Sequence, residues 1–128
     1  MRYVLDTDVA IEYLRGNLDV AGFLSGLPDL SITTITLAEL FYGVYKSQNP
    51  VKHENKLYDF LSGVKIICSD GLSCRNYGRL KAVLERQGKA VDDFDLMIAG
   101  ICLSNGCTLI TRNLRHYSGI EGLNVKSI

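Results

Sequence analysis

Short aliphatic runs alternate with helical segments along the whole chain. Five runs rich in Val, Ile, Leu and Thr predict strands: 2–6, 30–35, 64–68, 107–111 and 122–128. Six segments between them predict helices, from their apolar spacing or their flanking Gly, Pro and Asp residues: 8–16, 18–27, 36–47, 51–63, 72–88 and 92–106. This alternation predicts an α/β fold, with a mostly parallel sheet of four to five strands and helices on both faces.

Composition limits the classes of protein that this chain can belong to. Its 128 residues, 47% of them hydrophobic, predict a single domain spanning 1–128. The 14 Lys and Arg balance the 14 Asp and Glu, so any contact with nucleic acid must come from a local basic patch. No apolar run approaches the ~18 residues of a membrane helix, and the start "MRYVLDTD" lacks the apolar core of a signal peptide.

The cysteines and histidines argue against a zinc site. The four cysteines form no C-x-x-C pair, and His53 and His116 lie far apart in sequence. Without a secretion signal, reduced and buried thiols are expected, which predicts a cytoplasmic location and no membrane association.

Four oxygen-bearing side chains are expected at one edge of the predicted sheet. Asp6 ends the first strand, and Glu39 lies in the first turn of the helix after the second strand. Asp95 opens the apolar helix before the "CTLIT" strand, and Asn113 follows that strand in "TRN". Because ligands bind at the carboxyl ends of parallel strands, we expect these four residues to converge there.

Each of these residues also has an ordinary structural explanation. Thr36 and Glu39 match a capping box, and Asp92 or Asp93 is a natural N-cap. Asp95 is harder to explain in this way, because it shares a helix face with Ala99 and apolar neighbours, and a buried carboxylate needs a partner.

Taken together, these carboxylates predict a divalent cation. Several of them at one edge would repel each other at neutral pH, and a cation would relieve that repulsion. An all-oxygen site suits Mg²⁺ or Mn²⁺, and such a site supports hydrolysis of a phosphodiester bond.

The motifs "YVLDTDVAIEYLRG", "ITTITLAELFYGVYKS", "VDDFDLMIAG" and "LITRNLRHYSGIEGLNV" resemble those of the PIN-domain ribonucleases, specifically the VapC-type toxins of toxin–antitoxin pairs. The resemblance runs from residue 3 to about residue 125, in the order and spacing of the family. It implies a PIN-like three-layer sandwich and a Mg²⁺- or Mn²⁺-dependent endoribonuclease that cleaves tRNA or rRNA loops. It also implies a homodimer, inhibited by a cognate VapB-like antitoxin.

The resemblance assigns roles to individual positions. Asp6, Glu39 and Asp95 match the metal-binding acids, so it selects Asp95 over its acidic neighbours. Asn113 falls where many relatives carry a fourth acid and others an Asn, and it is the fourth expected catalytic residue.

Two further positions are expected to support the site rather than to bind metal. Thr111 matches a small hydroxyl residue that shapes it. Asp8 falls where relatives often carry Asn, and it either supports the ligands or caps the first helix. Mechanistically, Glu39 is expected to take a proton from the attacking water, and Asn113 to position a water or a phosphate oxygen.

Substrate contacts must come from local basic residues. Arg112 and Arg115 follow the strand end that bears Asn113, and Arg15 and Lys46 lie at the ends of predicted helices. Each of these is a candidate RNA contact, although solvated surface charge is the simpler explanation for any one of them alone, and Arg112 and Arg115 have the better case.

Four alternatives stay open at the level of sequence, one of them an inactive RNA-binding relative, against which the presence of all three acids argues. A solitary PIN-domain RNA-processing nuclease would use the same site without an antitoxin. A haloacid-dehalogenase-like phosphatase would use Asp6 as its phosphorylated nucleophile, with Lys89 before an acidic pair, but Glu39 would then have no role. A receiver-like signalling domain would need its phosphoacceptor at the end of a middle strand, where only Asp70 lies nearby.

Overall fold

The computed structural model describes residues 2–128, and within that range it contains five strands and seven helices. The strands are β1 Tyr3–Leu5, β2 Leu30–Thr33, β3 Lys65–Ile67, β4 Thr108–Thr111 and β5 Asn124–Ser127. The helices are α1 Thr7–Leu14, α2 Leu18–Ser25, α3 Thr34–Lys46, α4 Pro50–Leu61, α5 Gly71–Arg86, α6 Asp93–Asn105 and α7 Leu114–Tyr117. None of the helices in this range is long and apolar enough to cross a membrane.

The five strands form one parallel sheet in the order β3-β2-β1-β4-β5. From β1 the chain builds outward through β2 to β3, and it then returns to place β4 and β5 on the other side of β1. The direction of winding therefore reverses between β1 and β4, and this is where open parallel sheets form their binding crevices. The predicted α/β architecture is confirmed.

The sheet separates two apolar cores. Val4 and Leu109 point into a core formed with α5, α6 and α7, whereas Leu5 and Ile110 point into a core formed with α1 to α4. This follows from the two-residue period of a strand, which sends successive side chains to opposite faces. Both faces of the sheet are covered by helices, as predicted.

Some helix boundaries differ from those predicted. Helix α3 begins at Thr34, and its cap is Thr33, whose Oγ1 accepts from the backbone N of Thr36 at 3.1 Å. The predicted capping box at Thr36 is therefore wrong, and Glu39 lies in the second turn rather than the first. Helix α7 has only four residues, too few for an apolar period, and it was missed.

The cysteines agree only in part with the prediction. All four are free thiols, but Cys68 and Cys74 are exposed, and only Cys102 and Cys107 are buried. The exposed pair flanks the start of α5, whereas the buried pair flanks the end of α6.

Gly100 marks a close contact between α5 and α6. A Cβ at this position would lie 2.7 Å from the backbone O of Ser73 and 3.3 Å from the backbone N of Tyr77. We expect Gly100→Ala to lower the free energy of unfolding by about 2–3 kcal/mol, because backbone cannot yield as a side chain can. Gly78→Ala on α5 is the control, since its Cβ would meet nothing within 4 Å. Urea denaturation should separate the two variants, and equal stabilities would refute the close contact.

Candidate active site

The candidate site lies where β1 and β4 end side by side. Asp6 directly follows β1, and its backbone N donates to the carbonyl O of Ile110 at 2.9 Å. This pairing places Asp6 next to Thr111, the last residue of β4. The site therefore sits at the reversal point of the sheet.

Asp6 is only 4% exposed, and its carboxylate is held on both sides. Oδ1 accepts from the backbone N of Thr7 at 2.9 Å, and Oδ2 accepts from Oγ1 of Thr111 at 2.7 Å. Burial raises the pKa of Asp6, these hydrogen bonds oppose the rise, and the charge of Asp95 adds to it. Asp6, not Asp8, is also the N-cap of α1.

Glu39 reaches the same edge from α3. Its Oε1 accepts from Oγ1 of Thr7 at 2.7 Å, and that hydroxyl lies 3.0 Å from Oγ1 of Thr36. Burial raises the pKa of Glu39, and the charges of Asp95 and Asp6 raise it further. Asp95 is thus close enough to raise the pKa of both Asp6 and Glu39.

Asp95 enters from α6, on the opposite face of the sheet. Asp92 is the N-cap of this helix, as predicted, and its Oδ1 accepts from the backbone N of Asp95 at 3.4 Å. The Asp95 carboxylate is hydrogen-bonded through Oδ2 to Nδ1 of His116 at 2.8 Å, and Oδ1 accepts from the hydroxyl of Tyr117 at 3.1 Å. These are the partners that its apolar surroundings required.

Asp8 is the hub of a second group beside the three acids. Its Oδ2 accepts from Nδ2 of Asn113 at 2.8 Å and from the backbone N of Arg112 at 3.3 Å. Burial raises the pKa of Asp8 to about 6, with a further rise from the charge of Asp6. The side chain of Asn113 therefore contacts Asp8, while Thr111 Oγ1 accepts from the backbone N of Asn113 at 2.9 Å.

The predicted basic residues occupy different environments. The guanidinium of Arg112 donates through Nε to Oε2 of Glu12 at 2.7 Å, and Arg115 is exposed on α7. Arg15 and Lys46 line a groove of about 600 Å³ between α1, α3 and α4. Glu39 lines the same groove, so the groove opens onto the acidic site.

The donor chemistry of the site fits a divalent cation. Asp6, Glu39 and Asp95 offer carboxylate oxygens, and the ion pairs within residues 2–128 bring no Lys or Arg to them. In this range no three His, Cys, Asp or Glu side chains are already arranged to hold a metal ion. The carboxylate oxygens are instead engaged by hydroxyl groups and by His116, so binding would require these side chains to turn toward a common point.

Three partners of the acids were missed from the sequence. Thr7 lies between two aspartates in "DTD", and His116 and Tyr117 lie in the short helix α7. His116 is paired with Asp95 despite its exposure. No local pattern marks such contacts, because they depend on elements that are distant in sequence.

Comparison with known proteins identifies the family. The family model for the PIN domain matches residues 3–119. The chain is 31% identical over 129 residues to ribonuclease VapC2 of Haemophilus influenzae, covering 99% of this chain and 98% of the relative. It is 31% identical over 125 residues to the tRNA(fMet)-specific endonuclease VapC of Shigella flexneri, covering 96% and 95%.

Solved structures agree. The chain matches VapBC2 from Rickettsia felis, bound to a DNA fragment from its promoter, with a TM-score of 0.94 and 30% identity over 99% of this chain and 98% of the other. VapBC from Salmonella typhimurium, also bound to DNA, matches with a TM-score of 0.90 and 29% identity over 99% and 98%.

The chain therefore belongs to the PIN-domain family and, within it, to the VapC ribonucleases, the toxins of VapBC toxin–antitoxin systems. This confirms the resemblance drawn from the four motifs. Membership of the PIN-domain family also excludes the haloacid-dehalogenase-like phosphatase and the receiver-like signalling domain, which belong to other families.

Proposed function

We propose that this chain is a divalent-metal-dependent endoribonuclease that hydrolyses phosphodiester bonds in structured RNA and is held in check by a cognate antitoxin. The observation that carries the proposal is that Asp6, Glu39 and Asp95 come to one edge of the sheet, from its central strand and from both of its helical layers. Burial of several carboxylates together is costly unless a cation shares the site.

Each acid has a distinct role in this proposal. Asp6 and Asp95 would hold a Mg²⁺ or Mn²⁺ ion, and Glu39 would complete the set of ligands directly or through water. When bound, the cation would offset the negative charge that develops on the phosphoryl oxygens. Glu39 takes a proton from the attacking water and so acts as the general base.

The supporting residues give these acids hydrogen-bond partners in the absence of a cation. Thr111 donates to Asp6, and Thr7 donates to Glu39, until a cation draws the carboxylates toward a common point. Asn113 anchors Asp8 at the edge of the site. In the reaction, the water oxygen forms a bond to phosphorus, the bond to the leaving oxygen breaks, and the leaving oxygen takes a proton from solvent.

Two relatives suggest the first substrate and partner to test. The Shigella flexneri relative is named for cleavage of tRNA(fMet), and the Rickettsia felis and Salmonella typhimurium neighbours are complexes with an antitoxin. Initiator tRNA and a VapB-like protein are therefore our proposed substrate and inhibitor. A small upstream reading frame for a protein with a DNA-binding head and an amphipathic tail would favour the toxin over a solitary RNA-processing nuclease.

The direct test is cleavage of initiator tRNA by the purified chain. We expect cleavage with Mg²⁺ or Mn²⁺, none in EDTA, and inhibition by the co-expressed upstream protein. A 16S rRNA loop and an unstructured oligonucleotide serve as comparison substrates. If no RNA is cut with either metal, the proposed activity is wrong.

The groove beside Glu39 is our proposed path for the RNA strand next to the cleaved bond. Its walls carry Arg15, Lys46 and Lys56, which can neutralise phosphates on a chain without net charge overall. Tyr42 also lines the groove, and its ring lies under Lys46, whose Nζ is 5.0 Å from the ring centroid. An exposed tyrosine beside a cation is a suitable surface for stacking a base.

Reversing one groove charge should weaken RNA binding without touching the chemistry. We expect Lys56→Glu to raise KM for tRNA by about 3- to 10-fold, with kcat nearly unchanged, because one phosphate contact is lost. The slope of log KM against the logarithm of the salt concentration should decrease by about one. Lys52→Glu on the same helix, outside the groove, is the control. If both variants bind tRNA equally well, the RNA does not follow this groove.

A further inference from the structure

Phe94 is a large apolar residue that lies exposed beside the candidate acids. It is the second residue of α6, directly before Asp95, and it is 48% exposed. It belongs to neither apolar core, and within residues 2–128 its ring pairs with no other aromatic ring and with no cation. Packing in the cores therefore does not explain an aromatic ring at this position.

The contacts of its neighbours place Phe94 at the edge of the site. Its backbone N donates to Oδ1 of Asp92, the N-cap of α6, at 2.9 Å, so Phe94 lies in the first turn of the helix. The next residue, Asp95, is bonded to α7 through Nδ1 of His116 at 2.8 Å and the hydroxyl of Tyr117 at 3.1 Å. Because consecutive Cα atoms are only ~3.8 Å apart, a large ligand bound at Asp95 comes within reach of the Phe94 ring.

A second exposed apolar residue lies at the start of α7. Leu114 directly follows Asn113, is 46% exposed and also belongs to neither core. Because α7 is hydrogen-bonded to Asp95, Leu114 and Phe94 both border the candidate site. Apolar surface with a few polar groups beside it suits a ligand that has a flat apolar face and polar edges.

The charges next to Phe94 favour a base over a phosphate group. Asp93 is paired with Lys81 at 2.8 Å, whereas Asp92 has no Lys or Arg partner within residues 2–128. A carboxylate without a cationic partner repels a phosphate, but it accepts hydrogen bonds from the N–H groups of a base. In RNA loops, unpaired bases are recognised by stacking on aromatic side chains. The ring and its acidic neighbour together therefore suit an unpaired base.

We propose that Phe94 is a substrate-contact residue, on which an unpaired base next to the cleaved bond stacks. This inference rests on the proposed ribonuclease function. The groove beside Glu39 lies in the layer of α1 to α4, whereas Phe94 lies in the layer of α5 to α7. The stacked base is therefore on the opposite side of the cleaved bond from the RNA in the groove. Since every base has a π-face, Phe94 selects an unpaired conformation rather than a sequence.

Phe94→Ala removes the ring and keeps the backbone of α6. We expect kcat/KM for tRNA at saturating Mg²⁺ to fall by about 5- to 150-fold, which corresponds to the ~1–3 kcal/mol lost with one stacked base. Phe94→Tyr keeps the flat ring and should retain most of the activity. Val83→Ala is the matched control, because Val83 is an exposed apolar residue of the same helical layer that lines neither cavity. It should cut tRNA at the wild-type rate.

A substrate that lacks one base identifies the partner of Phe94. The cut is first mapped with wild-type protein, and the nucleotides beside it are then made abasic one at a time. At one of these positions, Phe94→Ala and wild type should cut the abasic tRNA at the same rate, because the contact is already lost. A purely structural defect in Phe94→Ala would instead slow the cleavage of every one of these substrates.

The chain contains no tryptophan, so Phe94→Trp introduces a single fluorescent reporter at this position. A base that stacks on the indole should quench its emission when tRNA is added in EDTA, where no cleavage is expected. Val83→Trp is the control, and its emission should change little. If tRNA binds but leaves the emission of Phe94→Trp unchanged, no base stacks there.

These measurements separate the role of Phe94 from the proposed function. If wild-type protein cuts no RNA with Mg²⁺ or Mn²⁺, the proposed function itself fails. If wild-type protein cuts tRNA and Phe94→Ala cuts it equally well, only the role of Phe94 is wrong. Phe94→Ala that cuts normally but escapes inhibition by the upstream protein would assign the ring to the antitoxin and overturn base stacking. A loss that persists on every abasic substrate would overturn it as well.

Discussion

Replacing Asp95 with asparagine should reduce RNA cleavage by at least about 100-fold and leave the protein folded. The amide oxygen can still accept from Tyr117, so the shape of the site is kept, but one of the three negative charges is lost. A site that depends on those charges to hold a cation and to stabilise a phosphoryl transition state should then fail. Initial rates on tRNA, measured with saturating Mg²⁺, give the effect.

Asp93→Asn is the matched control for this prediction. It makes the same substitution two residues away on α6, at a carboxylate bound to Lys81 at 2.8 Å. We expect its activity to stay within about twofold of wild type, since surface substitutions of this kind have small effects. If Asp95→Asn cuts RNA at the wild-type rate, with contaminating nuclease excluded, Asp95 is not a catalytic ligand.

The metal-free protein should lose stability as the pH rises from about 4 to about 7. Burial raises the pKa values of Asp6, Asp8 and Glu39, that of Asp8 to about 6, so the folded state holds protons that the unfolded chain releases. Stability from a raised pKa is complete below the unfolded value and is lost as the pH passes the folded one. Urea denaturation in EDTA at pH 5 and pH 7.5 should show the fall.

Mg²⁺ and Asp8→Asn should each reduce the loss of stability between pH 5 and pH 7.5, but for different reasons. Mg²⁺ at millimolar concentration should restore stability at pH 7.5 but have little effect at pH 5, where protons compete for the carboxylates. In EDTA, Asp8→Asn should reduce the loss of unfolding free energy between pH 5 and pH 7.5 by about 1 kcal/mol, after allowance for the partial solvent exposure of Asp8. A stability that rises between pH 5 and pH 7.5 in EDTA would contradict the burial of these charges.

The positions of Asp6 and Asp95 could be predicted because they follow from topology. A buried strand ending in an acid, and an acid in the first turn of an apolar helix, must meet at the carboxyl edge of a parallel sheet. Glu39 was placed at the correct edge, although its helix begins at Thr34 rather than Thr36. That error arose because Thr33 and Thr36 are equally good caps in sequence, and only the end of β2 decides between them.

The contacts among side chains could not be predicted in the same way. His116 and Tyr117 reach Asp95 from a helix of four residues that carries no periodic signal. Asn113 was expected to serve the metal site directly, but its amide group lies against Asp8, and its catalytic role stays a prediction. Such details depend on rotamers that form only when α1, α6 and α7 are packed together.

The placement of the acids on both sides of the sheet has a consequence for protein synthesis. Glu39 belongs to the layer made early in translation, Asp95 belongs to the layer made late, and Asp6 lies in the central strand between them. Strand β1 pairs with β4, so the Asp6 carboxylate gains Thr111 only after most of the chain has left the ribosome. Until α6 and β4 have been synthesised, the three acids therefore cannot meet at the edge of the sheet.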